Sequence, residues 1–214
     1  MNARDYLDYI AREIHTTVVA TVDADGAPVT CAIDMMDADE TGLYFLTAKG
    51  KGFYDRLVRT EKLALTALNG EDTMHSVAVS VRGHVVELGP DRLPDLFEKN
   101  PYMRDIYPSE ASRSALTVFK VDRGAGEWFD LSKRPIERAS FTFGGALELR
   151  EGYYVRREAC IGCGACLAVC PQNCIHMEDD AAVIEQEHCL HCGRCAEICT
   201  ARAIVSRKNL EGEN

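Results

Sequence analysis

Residues 160–175 read CIGCGACLAVCPQNCI, and residues 189–204 read CLHCGRCAEICTARAI. Each stretch contains four cysteines separated by two, two and three residues, and the first stretch also contains Cys174. The eight regularly spaced positions hold most of the chain's ten cysteines. Ile175 in the first stretch recurs as Ile204 in the second. The segment is therefore an internal duplication, and its cysteines decide how this part of the chain folds.

This spacing resembles the bacterial ferredoxins with two 4Fe-4S clusters, in which the fourth cysteine of each run ligates the cluster of the other run. The resemblance covers roughly residues 150–207 and implies a small α+β domain with two clusters. The implied ligand sets are Cys160, Cys163, Cys166 and Cys199 for one cluster, and Cys170, Cys189, Cys192 and Cys195 for the other. The first run is followed by Pro171, whereas the second is followed by Thr200 in place of the family's proline. This replacement affects the local turn more than the ligation of the cluster.

Two other uses of cysteine fit this pattern less well. Structural zinc sites use paired Cys-x2-Cys knuckles and do not need a third cysteine in each run. A disulfide framework requires an oxidising compartment, but residues 1–14 are polar and charged and contain no apolar signal-peptide core. Iron–sulfur ligation is therefore the favoured interpretation.

Three further residues of this segment have open roles. Cys174 takes the place of Ala203 in the second repeat, which favours a small buried side chain over a ligand. His188 and His191 border the second run of cysteines. They could adjust a cluster potential through hydrogen bonds, or they could be solvated.

Length and charge limit the remaining functions. The chain has 214 residues, a net charge of −10 and a pI near 5.1, which argues against non-specific nucleic-acid binding. No run of residues approaches the roughly 18 apolar residues needed to span a bilayer. We expect a soluble cytoplasmic protein with no nucleic-acid or membrane partner.

The first part of the chain is rich in short apolar runs with strand-like alternation. The predicted strands are Thr16–Val22, Val29–Met36, Leu43–Thr47, Lys62–Leu68, Ser76–Leu88, Ala115–Val121 and Glu127–Leu131. Helical segments are predicted at Asp5–Ile14, Lys51–Arg59, Pro90–Lys99 and Pro101–Tyr107. Asp34, Asp37, Asp39 and Glu40 are expected to form a solvated acidic turn. Six or seven short strands with few helices favour a small barrel.

Three stretches of this part resemble the FMN-binding split-barrel family, the superfamily of pyridoxamine 5'-phosphate oxidase. They are ATVDADGAPVTCAIDMM at residues 20–36, LYFLTAKGKGFYDRLVRTEKLALTAL at residues 43–68 and EWFDLSKRPIERASF at residues 127–141. The resemblance covers about residues 1–143 and implies a mainly β split barrel with short helices that binds FMN. It also implies a homodimer, and it places the second strand, with Ile33, along the flavin ring.

The turn after Leu43–Thr47 combines groups that bind anions. Thr47 offers a hydroxyl, Lys49 and Lys51 offer ammonium groups, and Gly50 lets backbone N–H groups approach an anion just before a helix. On these residues alone, a phosphate site and a solvated hairpin tip are equally open, and the resemblance favours the phosphate of FMN. The arginine-rich version of the motif in the oxidase itself is absent, which argues against oxidation of pyridoxamine phosphate more than against FMN binding.

The chain is thus predicted to contain two domains. Residues 1–143 form the FMN-binding split barrel, residues 144–149 a linker, residues 150–207 the two-cluster ferredoxin domain, and residues 208–214 a polar tail. A short strand pair, Ala146–Arg150 with Tyr153–Arg156, is expected to precede the first cysteine run.

The joined domains predict an iron–sulfur flavoprotein oxidoreductase, because a flavin exchanges two electrons and each cluster carries one. Electrons would pass between an external carrier and FMN through two 4Fe-4S clusters, to reduce or oxidise a small molecule. The external carrier is a ferredoxin, NAD(P)H or another reductase. The alternative is an electron-transfer module between protein partners, without its own small-molecule substrate. The sequence assigns no catalytic residue.

Overall fold

A computed structural model of the protein describes residues 1–145 and 152–206. These residues divide into two units. The first unit contains Met1–Trp128 and residues 140–145, and the second contains Phe129–Ala139 and residues 152–206. The predicted strand Ala146–Arg150, the predicted tail and all but the first two residues of the predicted linker lie outside the described residues.

Eight strands form the larger sheet. They are β1 (Thr16–Val22), β2 (Pro28–Asp34), β3 (Asp37–Asp39), β4 (Gly42–Ala48), β5 (Lys62–Asn69), β6 (Val77–Gly89), β7 (Leu116–Asp130) and β8 (Glu137–Phe143). Their order across the sheet is β2-β1-β5-β6-β7-β4-β3, and β8 pairs with β7. The mainly β class predicted from the sequence is therefore confirmed.

β7 runs unbroken over Leu116–Asp130, where the sequence predicts two separate strands. Gly124 and Gly126 lie between those predicted strands. A side chain at Gly126 would collide with the ring of Phe141, and one at Gly124 would collide with the ring of Phe143. The two glycines thus permit close packing within one strand instead of ending it.

The acidic segment after β2 is not the solvated turn that the sequence predicts. Asp37 accepts hydrogen bonds from Lys99 Nζ at 2.7 Å and from Arg92 at 3.2 Å. Asp39 accepts the Tyr44 hydroxyl at 2.7 Å. Because these cations lie far away in sequence, a local pattern of charges does not reveal the pairing.

Helices lie where they are predicted, with one addition near residue 110. They are α1 (Ala3–Tyr9), which continues as a π-helical turn over Ile10–Ile14, α2 (Gly52–Thr60), α3 (Leu93–Lys99), α4 (Met103–Ile106) and α5 (Glu110–Arg113). α2 packs its apolar side on the sheet, with the Phe53 ring 6.0 Å from that of Phe45. In the part of the chain that the structure describes, no helix is long and apolar enough to cross a membrane.

The second unit repeats one pattern twice, as the duplicated sequence predicts. Each cysteine run contains a short helix, α6 (Ala165–Val169) or α7 (Arg194–Ile198). The strands β9 (Tyr153–Val155) and β12 (Ile204–Ser206) pair with each other, as do β10 (Ile175–Glu178) and β11 (Ala181–Ile184). Buried cysteines and isoleucines form the core between these elements.

Candidate functional site

The cysteines of the second unit line two cavities. One cavity is lined by Cys160, Cys163, Cys166 and Cys199, together with Ile161, Met177 and Ala203. The other is lined by Cys170, Cys189, Cys192 and Cys195, together with Cys174, Tyr153 and Ile184. We call them the first and the second cysteine cavity. The structure therefore brings together both predicted sets of four, including the exchange of the fourth cysteine between the runs.

The environment of the thiols suits a cationic centre. Burial raises the pKa of Cys166 and Cys189, and it raises the pKa of Cys195 to about 11. Thiolates in these places therefore need a positive charge close by, which the iron of a cluster supplies. At Cys160, hydrogen bonds from the backbone N–H groups of Ala182 and Gly162 lower the pKa of the thiol.

A single metal ion fits the same residues poorly. Among the described residues, no group of three or more His, Cys, Asp or Glu side chains is arranged to hold one metal ion. A structural zinc ion requires its four ligands at about 2.0–2.3 Å from one point. The four thiols of each set line one cavity, and four thiolates are the ligands that a cubic cluster with its own sulfur atoms takes.

His188 and His191 are held by the segment Phe129–Ala139, which the sequence did not connect with the cysteines. His188 Nδ1 donates to the backbone oxygen of Ile136 at 3.1 Å, and the Arg138 guanidinium donates to His191 Nδ1. His191 has a φ of +53°, where the equivalent residue of the first run is Gly162 with +66°. Its strained backbone and its arginine partner indicate a fixed loop rather than a solvated side chain.

Cys174 is buried, as predicted, with 3% of its surface exposed. Its Sγ lies 3.5 Å from Cys170 Sγ. Burial and the neighbouring Cys170 raise the pKa of the Cys174 thiol. The second cysteine cavity therefore contains five thiols, and the first contains four.

The predicted phosphate turn lies between β4 and α2. Thr47, at the end of β4, is 3% exposed, and its Oγ1 has no hydrogen-bond partner among the described residues. Lys49 Nζ lies 3.9 Å from Glu87 Oε1, and Lys51 is the N-cap residue of α2 without a side-chain cap. An orphaned buried hydroxyl beside two lysines and a helix N-terminus fits an anionic ligand such as a phosphate.

Arg56 of α2 also lies near the turn between β4 and α2, and the sequence analysis did not identify it. Its Nε donates to Thr21 Oγ1 at 2.8 Å, and a Cβ on Gly52 would lie 3.3 Å from its guanidinium. Burial raises the pKa of Cys31, while the charges of Arg56 and Lys51 lower it, so both cations lie near this thiol. Arg56 follows Gly52 by four residues, and that helical spacing was the available signal.

Ile33 is placed on the β1/β2 hairpin. It is half-buried and lies opposite Thr17, whose hydroxyl donates to the Ile33 backbone oxygen at 3.0 Å. The next residue, Asp34, accepts the Tyr102 hydroxyl at 2.6 Å and the Thr16 hydroxyl at 2.7 Å. Ile33 thus contacts β1 of this hairpin and is not paired with the turn after Thr47.

A polar cavity of about 420 Å³ lies beyond the end of β2. Arg12, His15, Asp37 and Lys99 are among the residues that line it. His15 Nε2 lies 2.7 Å from the Tyr102 hydroxyl, which donates to Asp34. His15 therefore connects the lining of the cavity to a hydrogen-bonded histidine–tyrosine–aspartate chain.

Two family models match this chain. Residues 4–126 match the family described as pyridoxamine 5'-phosphate oxidase, and residues 159–203 match the 4Fe-4S dicluster domain. No curated protein matches the chain significantly. The predicted combination of a split barrel with a dicluster ferredoxin domain is confirmed by these two matches.

Solved structures agree on the fold of the first unit. A NimC/NimA family protein from Clostridium acetobutylicum is 15% identical with a TM-score of 0.55, over 65% of this chain and 92% of that one. A heme binding protein from Mycobacterium smegmatis is 13% identical with a TM-score of 0.52, over 66% of this chain and 58% of that one. At such low identities the likeness concerns the fold alone.

Proposed function

Through residues 4–126 the chain belongs to the pyridoxamine 5'-phosphate oxidase family, and from this premise we propose an iron–sulfur flavoprotein oxidoreductase with FMN and two 4Fe-4S clusters. Electrons pass between an external carrier and FMN through the clusters, and a small molecule is reduced or oxidised at the flavin. When bound, FMN supplies two-electron chemistry and each cluster supplies one-electron transfer.

The observation that carries this proposal is the pair of four-cysteine cavities in the second unit. The thiolates of Cys160, Cys163, Cys166 and Cys199 hold one cluster, and those of Cys170, Cys189, Cys192 and Cys195 hold the other. Cys163 and Cys192 are the exposed members of the two sets. They lie on the side of each cavity that solvent reaches, where an external electron carrier can approach.

The FMN phosphate is bound at the turn after β4. Lys49, Lys51 and Arg56 supply positive charge, and the unpaired Thr47 hydroxyl donates a hydrogen bond. Glu87 holds Lys49 in place, because it also accepts the hydroxyls of Thr117 and Tyr54 and is thereby fixed. The absence of the oxidase's arginine-rich motif from the sequence supports a substrate other than pyridoxamine phosphate.

A homodimer completes the flavin cleft in this proposal. Val18 of β1 is 55% exposed and lies between Ala32 of β2 and Thr66 of β5. Leu68, farther along β5, is 63% exposed. This face of small and apolar side chains supports burial against a second copy of the chain.

The test begins with protein purified without oxygen. We expect about eight iron and eight acid-labile sulfide atoms per chain, as two cubane clusters require, and one FMN per chain released by denaturation. Stoichiometric zinc without sulfide would refute the cluster assignment. Haem in place of FMN, identified by its absorbance and by extraction, would refute the flavin assignment.

The electron path is tested by reducing the protein with ferredoxin or NAD(P)H and following the flavin absorbance. Variants that lack either cluster should lose rapid flavin reduction by ferredoxin. Steady turnover of a small acceptor supports the oxidoreductase. Rapid flavin reduction with no acceptor accelerated supports the alternative, an electron-transfer module between protein partners, for which the exposed Cys163 and Cys192 are the motivating observation.

A further inference from the structure

We infer that Cys174 is a positioning residue for one cluster only: its S–H group donates a hydrogen bond to the Cys170 sulfur and raises the reduction potential of the cluster in the second cysteine cavity. The inference rests on the proposed function, since it requires that both cavities hold clusters. It adds a fifth thiol with a role different from that of the four ligands.

The ligand role of Cys170 decides which sulfur is the donor, because the contact alone allows either. Cys174 Sγ lies 3.5 Å from Cys170 Sγ, within the range of a hydrogen bond between sulfur atoms. As a cluster ligand, Cys170 carries no proton and can only accept. Cys174 is 3% exposed, so water does not compete for its proton. The S–H group therefore has a thiolate ligand as its partner inside a closed site.

Cys189 supports the same placement. Burial raises its pKa, while hydrogen bonds from the His191 backbone and from Cys174 lower it. Cys174 thus lies beside two ligands of one cluster, Cys170 and Cys189. Hydrogen bonds to cluster sulfur atoms raise the reduction potential, because they stabilise the more negative reduced state.

The duplication provides an internal comparison. The residue equivalent to Cys174 is Ala203, which is 1% exposed and lines the first cysteine cavity. There the backbone N–H of Ala203 donates to Cys199 Sγ at 3.3 Å, and the side chain offers no donor. The two cavities therefore differ by one S–H group at equivalent places.

The experiment compares Cys174→Ala, Cys174→Ser and Ala203→Cys with the unchanged chain. Each protein is purified without oxygen, its iron and sulfide are quantified, and both midpoint potentials are measured by redox titration with electron paramagnetic resonance. In Cys174→Ala, one of the two potentials should fall, with a change of about two- to tenfold in the ratio of reduced to oxidised cluster at a fixed potential. The other potential should not move.

The remaining variants complete the test. Cys174→Ser keeps a donor, so its potentials should lie closer to those of the unchanged chain. Ala203→Cys should raise the potential of the cluster in the first cysteine cavity, which Cys174→Ala does not change. If every variant holds two clusters and Cys174→Ala moves neither potential, or moves both equally, the inference is wrong. If the unchanged chain itself does not hold two clusters, the proposed function fails instead.

Discussion

Thr47 and Thr117 lie directly opposite each other on β4 and β7, but within the part of the chain that the structure describes only one of their hydroxyl groups has a partner. Thr117 Oγ1 donates to Glu87 Oε1 at 2.7 Å, whereas Thr47 Oγ1 is buried without a hydrogen-bond partner among the described residues. A buried hydroxyl without a partner destabilises the protein unless a ligand satisfies it. The two side chains therefore have separate roles: Thr47 is assigned to the ligand, whereas Thr117 stabilises the fold and affects Lys49 only indirectly, through Glu87.

Replacing each threonine with valine, which has nearly the same shape, tests this separation. Thr47→Val should leave the free energy of unfolding of the FMN-free protein unchanged or slightly higher, and should weaken FMN binding by about tenfold or more. Thr117→Val should lower the free energy of unfolding by about 1–2 kcal/mol, because Glu87 loses a donor. The measurements are chemical denaturation and titration with FMN. Equal losses of FMN affinity in both variants would contradict the assignment of Thr47.

The role of Lys49 and Lys51 is tested by comparing the binding of FMN with that of riboflavin. The double variant Lys49→Ala, Lys51→Ala should weaken FMN binding by about two to four decades, since charge-assisted hydrogen bonds contribute roughly 1.5–3 kcal/mol each. Riboflavin, which lacks the phosphate, should bind both proteins with similar affinity. The exposed Lys62 at the start of β5 provides the control variant Lys62→Ala.

Iron content distinguishes the loss of a phosphate site from unfolding of the whole protein. The cysteines of both cavities belong to the other unit of the chain, so the clusters should be retained in the lysine variants. Unchanged FMN affinity in the double variant would mean that the turn is a solvated hairpin tip. Loss of iron together with FMN would indicate damage to the whole protein rather than to a phosphate site.

The exchange of the fourth cysteine is tested with double variants. Cys160→Ala, Cys199→Ala removes two thiols from the first cavity and should leave about four iron atoms per chain, in the second cavity. Cys160→Ala, Cys170→Ala removes one thiol from each cavity and should leave neither cluster intact. Iron and sulfide analysis with electron paramagnetic resonance distinguishes the two results. The reverse outcome would mean that each run ligates its own cluster.

The sequence predicted most of the second unit because the relevant contacts are local. Two cysteines of each run lie in a short loop, the third lies in the short helix that follows, α6 or α7, and the fourth is the C-cap residue of that helix. The contacts of His188 and His191 with Ile136 and Arg138 join residues about fifty positions apart. No local spacing encodes such contacts, and the sequence analysis did not find them.

In the first unit, the elements were predictable and their partners were not. Alternation of apolar residues located the strands, and a glycine-containing basic turn located the candidate phosphate site. Arg56 was missed because the helix was assigned only by its apolar side. Asp37 was misjudged as solvated because Arg92 and Lys99 reach it only in the folded chain.

The last prediction concerns the exposed sheet face around Val18. Val18→Asp places a charge between Ala32 and Thr66, where a second subunit is proposed to pack, and burying that charge costs several kcal/mol. The variant should therefore shift from dimer to monomer in light scattering after size-exclusion chromatography. Ile106→Asp is the control, because Ile106 is similarly exposed, at 58%, but belongs to α4 and not to this strand ladder. If FMN needs both subunits, Val18→Asp should also lose FMN at micromolar concentration while keeping its iron. A Val18→Asp dimer with full FMN content would place the subunit contact on another face.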